Sequence, residues 1–113
     1  MAEISTAAID EYLLQLWNLK GTDLLFTVGV PPLLRVDGVM RPADGAAPLT
    51  AEDTERVVSS LLPSEVAEEF HREKDADFSF GWEDRARFRA NVFVQRGVAG
   101  LSLRLIPVAI PSF

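Results

Sequence analysis

The stretch "ARFRANVFVQRG", residues 86–97, holds three arginines among apolar residues and contains no acidic residue. Arg87 and Arg89 fall on the polar phase of a predicted strand, and Arg104 does so in the following "LSLRLI". On neighbouring antiparallel strands these side chains could converge on one face of the sheet, within reach of a single anion. Guanidinium groups suit phosphate oxygens because two parallel donors match two acceptors. Two other roles stay open: pairing with acids of the same domain, or hydration at an open sheet face.

Catalytic and metal-binding chemistry has little support elsewhere in the sequence. The one histidine, His71, lies among glutamates on a predicted helix, which favours a hydrated helix residue over a base or a metal ligand. The carboxylate pairs at 68–69 and 75–77 lie in a run of charged residues, where acid–base catalysis is poorly supported. No phosphate-binding loop of the type Gly-x-x-x-x-Gly-Lys-Ser/Thr is present. The sequence therefore predicts no catalytic residue, no metal site and no enzyme activity for this chain alone.

Charge is unevenly distributed along the chain. The net charge of -6 argues against a nucleic-acid-binding protein with a dominant basic surface. Residues 50–85 hold eleven acids against four Lys and Arg, whereas residues 86–113 hold four arginines and no acid. This segregation predicts an acidic face and a basic face, which suits directional assembly or an anionic ligand. Mutual neutralisation of the two regions within the fold is the alternative.

Three amphipathic helices are predicted to support the strands. The first follows Ser5 or Thr6, either of which could cap it, and ends before Gly21. The second follows an N-cap at Thr50, and the third begins at Pro63. The apolar positions of the first helix have helical spacing: Ile9, Tyr12, Leu13, Leu16 and Trp17.

Strand patterns place the sheet before and after the second and third helices. Residues 22–28 form a predicted strand, Asp37-Gly38 is a two-residue hairpin turn, and three further strands follow near 77–82, 86–95 and 101–106. Runs of strands and runs of helices indicate an α+β domain, PAS-like, with a curved antiparallel sheet and helices packed on one face. With 113 residues, no cysteine and no basic-then-apolar leader, we expect one cytoplasmic domain over residues 1–106. Residues 107–113 are expected to begin an interdomain linker.

Five segments carry a resemblance to a known family. In chain order they are "TDLLFTVGVPPLLRVDGVMRP", "APLTAEDTERVVSSLL", "DADFSFGW", "ARFRANVFVQRG" and "LSLRLIPVAIPSF". Together they resemble the N-terminal domain of the type IV pilus retraction ATPases, the PilT and PilU branch of the secretion ATPases. The match covers nearly the whole chain in the family's order and approximate spacing.

The resemblance implies a role beside a motor. It implies a PAS-like domain linked to a RecA-like motor domain, absent from this chain, that carries the Walker motifs. Family members form hexameric rings in which this domain packs on the motor domain of the next subunit. The implied function is to help close the ATP site and couple hydrolysis to pilus disassembly. The residues matching the family's nucleotide-facing arginines are Arg41, Arg89 and Arg104, with Arg35 and Arg87 as secondary candidates.

The implied cofactors are none for this chain and ATP with Mg²⁺ for a full-length protein. The implied partners are the motor domains of the same and neighbouring subunits and a platform protein at the inner-membrane base of the pilus, with no nucleic acid. One departure from the family is Leu25, which stands where the first strand usually carries a histidine. This departure leaves two roles open, that of a retraction motor and that of an accessory or regulatory relative. A free-standing PAS-like sensor and an oligomerisation or adaptor module remain the alternatives. The sensor needs an interior pocket, and the adaptor needs an exposed apolar patch such as "FTVGVPPLL".

Overall fold

A computed structural model describes residues 6–108 as three helices and one six-stranded sheet. The sheet is antiparallel throughout, in the order β3-β2-β1-β6-β5-β4. None of the helices within 6–108 is long and apolar enough to cross a membrane. In chain order the elements are α1 (Asp10–Asn18), β1 (Asp23–Phe26), β2 (Leu33–Val36), β3 (Val39–Pro42), α2 (Ala51–Leu61), α3 (Ser64–Glu73), β4 (Asp75–Trp82), β5 (Ala86–Gln95) and β6 (Val98–Pro107).

Two three-stranded units meet at the centre of the sheet. β1, β2 and β3 form one unit, the predicted meander β4, β5 and β6 forms the other, and β1 pairs with β6 to join them. In β1, β4 and β5, alternate residues face the helices and most of them are buried, while the other phase is more exposed. The predicted α+β fold, with an antiparallel sheet and helices on one face, is confirmed.

The core lies between the helices and the inner face of the sheet. Phe80 and Phe88 stack with ring centroids 5.5 Å apart, and Trp82 meets Phe88 edge-on at 6.1 Å. These aromatic side chains fill the space under α1 and the β4–β5 hairpin. The side chains that are at most 1% exposed and come from α1, its N-cap and the sheet are Ile9, Leu13, Leu16, Leu24, Phe26, Leu34, Ala76, Ala86, Phe88, Val92, Leu101 and Leu103.

The ends of α1 differ from the sequence expectation. The helix begins at Asp10, and the Thr6 hydroxyl donates to the Asp10 carboxylate at 2.6 Å instead of accepting a backbone amide, so the prediction of Thr6 as N-cap is wrong. The Thr6 carbonyl accepts from the Ile9 amide at 2.9 Å, which makes residues 6–9 a turn before the helix. Ser5, the other predicted cap, lies outside the described residues.

The C-terminal end of α1 is a Schellman motif. Lys20 takes the left-handed conformation at φ 58°, and Gly21 follows it and donates its amide to the Leu16 carbonyl at 2.9 Å. Gly21 therefore does not supply the left-handed turn. It is needed for close packing, since a Cβ there would lie 2.5 Å from Leu16 Cδ1 and 2.8 Å from the Arg35 carbonyl oxygen.

Helix α2 starts with a complete capping box. The Asp53 amide donates to Thr50 Oγ1 at 3.1 Å, and the Thr50 amide donates to Asp53 Oδ2 at 2.9 Å, so the predicted N-cap is confirmed. The hydrogen bonds from Thr50 hold the pKa of Asp53 below its usual value. The predicted turn at Asp37-Gly38 is also confirmed, with φ values of 52° and 78°.

Strand β6 continues to Pro107, one residue past the predicted domain boundary at 106. Its amides and carbonyls pair with both β1 and β5. Residues 109–113 of the predicted linker lie outside the described residues, so the division of the chain at 106 stays a prediction.

Candidate functional site

The face of the sheet turned away from the helices carries most of the candidate arginines. Arg89 on β5 lies directly opposite Arg104 on β6, and Arg104 lies opposite Asp23 on β1. Asp23 in turn lies opposite Arg35 on β2. This row of four charged residues crosses the centre of the sheet and is called the charged row below. Arg87 is two residues before Arg89 on the same face.

Asp23 is the centre of the charged row. Its carboxylate accepts from Arg104 Nε at 3.1 Å and lies 3.5 Å from Arg35 Nε on the other side. The Thr22 hydroxyl adds a third contact at 2.7 Å. Asp23 is the least exposed member, with 21% of its side chain accessible against 69% for Arg104 and 44% for Arg35. One carboxylate therefore orients two arginines while both keep their guanidinium edges in solvent.

Arg89 differs from its neighbours in the row. Among residues 6–108 it takes part in no side-chain hydrogen bond or ion pair, whereas Arg87 Nη2 donates to Ser79 Oγ at 3.1 Å. The Arg89 side chain borders a depression of about 250 Å³, which is also lined by Arg104, Asn91, Ser102 and the two acids Asp23 and Asp77. Two guanidinium groups at the edge of one depression, one of them without an ion pair among residues 6–108, form an arrangement that can take an anion.

Asn91, in this depression, holds two acids of β4, of which Asp77 also lines the depression. Asn91 Nδ2 donates to Asp75 Oδ1 and to Asp77 Oδ1, each at 3.0 Å. The amide fixes both carboxylates on the open face beside β5. Within residues 6–108, no group of three or more His, Cys, Asp or Glu side chains could hold a metal ion.

Arg41 is not part of this arrangement. It lies opposite Leu34 in the β2–β3 hairpin, and Leu34 is buried on the helix side of the sheet. Arg41 therefore points to the opposite face from Arg89 and Arg104, although its side chain is exposed at the sheet edge. The structure brings together Arg35, Arg87, Arg89 and Arg104 and leaves Arg41 apart.

Neutralisation between the acidic helices and the arginine strands is not observed. Of the five ion pairs among residues 6–108, two involve Asp23 and the other three join residues close in sequence. No arginine of β5 or β6 contacts an acid of α2 or α3 in this part of the chain. The acid that does pair with the strand arginines, Asp23, was missed by sequence reasoning. The sequence pattern of β1 could have indicated its position, because Asp23 and Leu25 alternate with Leu24 and Phe26 and therefore lie on the open face of the sheet.

Leu25 gives the open face an apolar centre. It is half-buried and lies opposite Leu33 on one side and Ser102 on the other, one row from Asp23 and Arg104. A histidine in this position would add a polar ring next to the charged row. Leu25 adds only apolar surface there.

Comparisons with curated proteins find pilus ATPases. The chain is 34% identical over 103 residues, 90% of its length, to the type IV pilus ATPase PilU of Pseudomonas aeruginosa. It is 34% identical over 86 residues, 76% of its length, to the type IV pilus retraction ATPase PilT of the same organism. The chain spans 27% of the length of PilU and 25% of that of PilT. No family model matches the chain.

Solved structures give the same fold. A crystal structure of the pilus retraction motor PilT with bound ADP matches 89% of this chain with a TM-score of 0.82 and 31% identity, over 29% of that motor's length. The ATPase DotB of Legionella pneumophila matches 98% of the chain with a TM-score of 0.76 and 20% identity, which is a likeness of fold.

Proposed function

From the premise that this chain is an N-terminal domain of the PilT/PilU-like ATPases, we propose that it serves a hexameric type IV pilus retraction motor. In this proposal the domain packs on the motor domain of the neighbouring subunit, helps to close the ATP site, and couples ATP hydrolysis to pilus disassembly. Its partners are the motor domains of its own and the neighbouring subunit, and the assembled ring works on the cytoplasmic side of a membrane platform protein.

The observation that carries the proposal is the pair Arg89 and Arg104. They face each other on adjacent strands, on the open face of the sheet, and Arg89 makes no ion pair among the described residues. An unpaired cation beside an oriented one supports a contact with phosphate oxygens or with acids of a second domain. Asp23 supports the same role because it holds Arg104 in place without covering it.

The arginines fit the phosphate end of a nucleotide, and within residues 6–108 no group of three or more His, Cys, Asp or Glu side chains accompanies them to hold the metal. Arg89 and Arg104 would contact phosphate, with Arg35 and Arg87 at either side. When bound, ATP and Mg²⁺ supply the hydrolysis chemistry, and the motor domain is the part that we expect to hold them. Arg41, on the other face of the sheet, would serve only if a second domain reached round the hairpin edge.

An adaptor function is the second candidate, and one observation favours it. Val28 and Val30, in the apolar segment between β1 and β2, are 45% and 36% exposed. Such side chains suit a protein contact without nucleotide chemistry. A free-standing sensor has less support, because the positions that would line its pocket, such as Phe88 and Leu103, are packed in the core.

ATP turnover in a protein extended through a motor domain tests the proposal. Arg89→Ala and Arg104→Ala should each lower the ATPase rate severely, since arginines supplied to a transferring phosphoryl group are worth about 10³ to 10⁵ in rate in other nucleotide hydrolases. Arg56→Ala is the matched control, because Arg56 lies on α2 and pairs with Asp53. Unchanged turnover in both variants, with the ring intact, would transfer support to the adaptor function.

A further inference from the structure

A second surface, on the helix side of the sheet, has a shape and charge that the proposed function does not use. It is a groove of about 460 Å³ between α2, α3 and the β5–β6 hairpin, called the helical groove below. It lies on the opposite side of the sheet from the charged row. Its lining residues from the two helices are Glu55, Val58, Ser59, Leu62, Ala67, Phe70 and His71, and those from the hairpin are Val94, Gly97 and Ala99.

The floor of the helical groove is apolar. Val58 and Phe70 are 3% and 8% exposed at its base, and Leu62 is partly buried beside them. Val94 stands at the hairpin side with 38% of its surface exposed, although it lies on the helix-facing phase of β5. The hairpin therefore extends past the helices and leaves apolar surface that another chain can cover.

The two helices that border the helical groove are acidic. Helices α2 and α3 carry seven acids and two arginines, and the arginines are already paired, Arg56 with Asp53 and Arg72 with Glu73. Within residues 6–108, no ion pair satisfies the remaining five glutamates, and one of them, Glu55, lines the groove itself. An apolar floor with an unpaired carboxylate at its edge, on a pair of acidic helices, is complementary to an apolar stripe flanked by cations.

The backbone around the helical groove excludes one mode of binding. Strands β5 and β6 are hydrogen-bonded to each other up to Gln95 and Val98, and the helices satisfy their own backbone groups. No free strand edge borders the groove in the described part of the chain, so an extended peptide would find no ladder to join. Contacts must come from side chains, which an amphipathic helix presents at i, i+3, i+4 and i+7.

We propose that the helical groove binds an amphipathic helix of a partner protein, with aliphatic side chains on Val58, Leu62 and Val94 and with Lys or Arg beside Glu55. The site is independent of the charged row, so the domain can hold a partner on this face while its open face meets a motor domain.

A synthetic peptide tests the groove in the 113-residue chain. The probe is an 18-residue peptide with Leu at i, i+3, i+4 and i+7 spacing and Lys at most other positions, and the control is a scrambled peptide of the same composition. In ¹⁵N NMR titrations we expect saturable shifts at residues 55–71 and 94–99 for the probe and none for the scramble. Equal shifts with both peptides, shifts on the open sheet face, or no shifts would overturn the proposal.

Matched variants separate groove contacts from general attraction to an acidic protein. Glu55→Lys should weaken binding about fivefold or more, while Glu65→Lys, which makes the same charge change outside the groove lining, should have little effect. Val94→Ser should weaken binding about threefold or more, and Val39→Ser on the distant β2–β3 hairpin should not. Equal effects within either pair would contradict the proposal.

Groove shifts that appear without peptide as the protein concentration rises would assign the groove to a second copy of this chain and also contradict the proposal.

Discussion

At the scale of single residues, Asp23 determines how the open face is charged. It separates Arg35 from Arg104, which would otherwise repel each other across β1. Arg89 has no such acid among the described residues, so its charge is held in place only by the strand that carries it. The same face thus contains a structural pair and a cation that is available to a ligand.

Replacing Asp23 tests this division. Asp23→Asn should lower the free energy of unfolding by about 1 kcal/mol, because it removes two partly exposed ion pairs and leaves two arginines facing one amide. Arg89→Ala should change it by less than about 0.5 kcal/mol, since no contact is lost. Urea unfolding of the isolated chain measures both, with Asp44→Asn as the control. If Arg89→Ala were the more destabilising variant, Arg89 would have an internal structural role.

At the scale of elements, the turn from α1 into β1 depends on a residue without a side chain. Gly21→Ala should destabilise the domain by about 1–3 kcal/mol, because the added methyl group meets Leu16 and the Arg35 backbone. For a domain near 100 residues this lowers the melting temperature by about 4–8 °C per kcal/mol. Gly38→Asn is the control, since that position has a left-handed φ of 78° and open space around it. If the Gly21→Ala protein had the same melting temperature as the wild type, α1 would be able to shift away from β2 at little cost in stability.

The start of α2 should make stability depend on pH. The pKa of Asp53 is lowered in the folded state by hydrogen bonds from Thr50, so its stabilising contribution is present above the unfolded pKa of about 3.9 and is lost as the pH falls through the folded value. Asp53→Asn should therefore lose less stability than the wild type on acidification from pH 5. Glu52→Gln is the matched control, because it removes a charge from the same turn without touching Thr50. Thermal melting of both proteins on acidification from pH 5 measures this difference. An equal loss of stability in Asp53→Asn and the wild type would rule out the capping box as the cause.

Local sequence patterns predicted most of these elements, but they could not predict contacts between strands that are distant in the sequence. The capping box at Thr50 and the Asp37-Gly38 turn depend on neighbouring residues, so the sequence contains their cause. The face occupied by Arg41 was also within reach, because a two-residue turn places it opposite Leu34. The contact of Asp23 with Arg104 was not, since it depends on the pairing of strands 81 residues apart. The left-handed residue at the end of α1 was not predicted, because a lysine in this conformation has no sequence signal and the following Gly21 is the residue type expected there.

At the scale of the whole molecule, the proposed function gives the domain arginines that contribute to a nucleotide site without completing one. We expect the 113-residue chain to be a monomer in dilute solution and to bind ATP no more tightly than millimolar, about -4 kcal/mol, because two surface arginines without a phosphate loop leave most of the nucleotide in water. Light scattering and titration calorimetry measure the two properties. A stable hexamer of this chain would place a ring interface within the domain itself, and micromolar ATP affinity would mean that the open face forms a site of its own.

The central position of β6 also has a consequence for how the protein is made. Among residues 6–108 the last strand is β6, which lies between β1 and β5, so the two halves of the sheet join only after β6 has been synthesised. At about 5–20 residues per second, β1 and its neighbours wait for several seconds on the ribosome with Leu24 and Phe26 uncovered on the side that β6 will later complete. Folding of this domain is therefore an event that follows its translation.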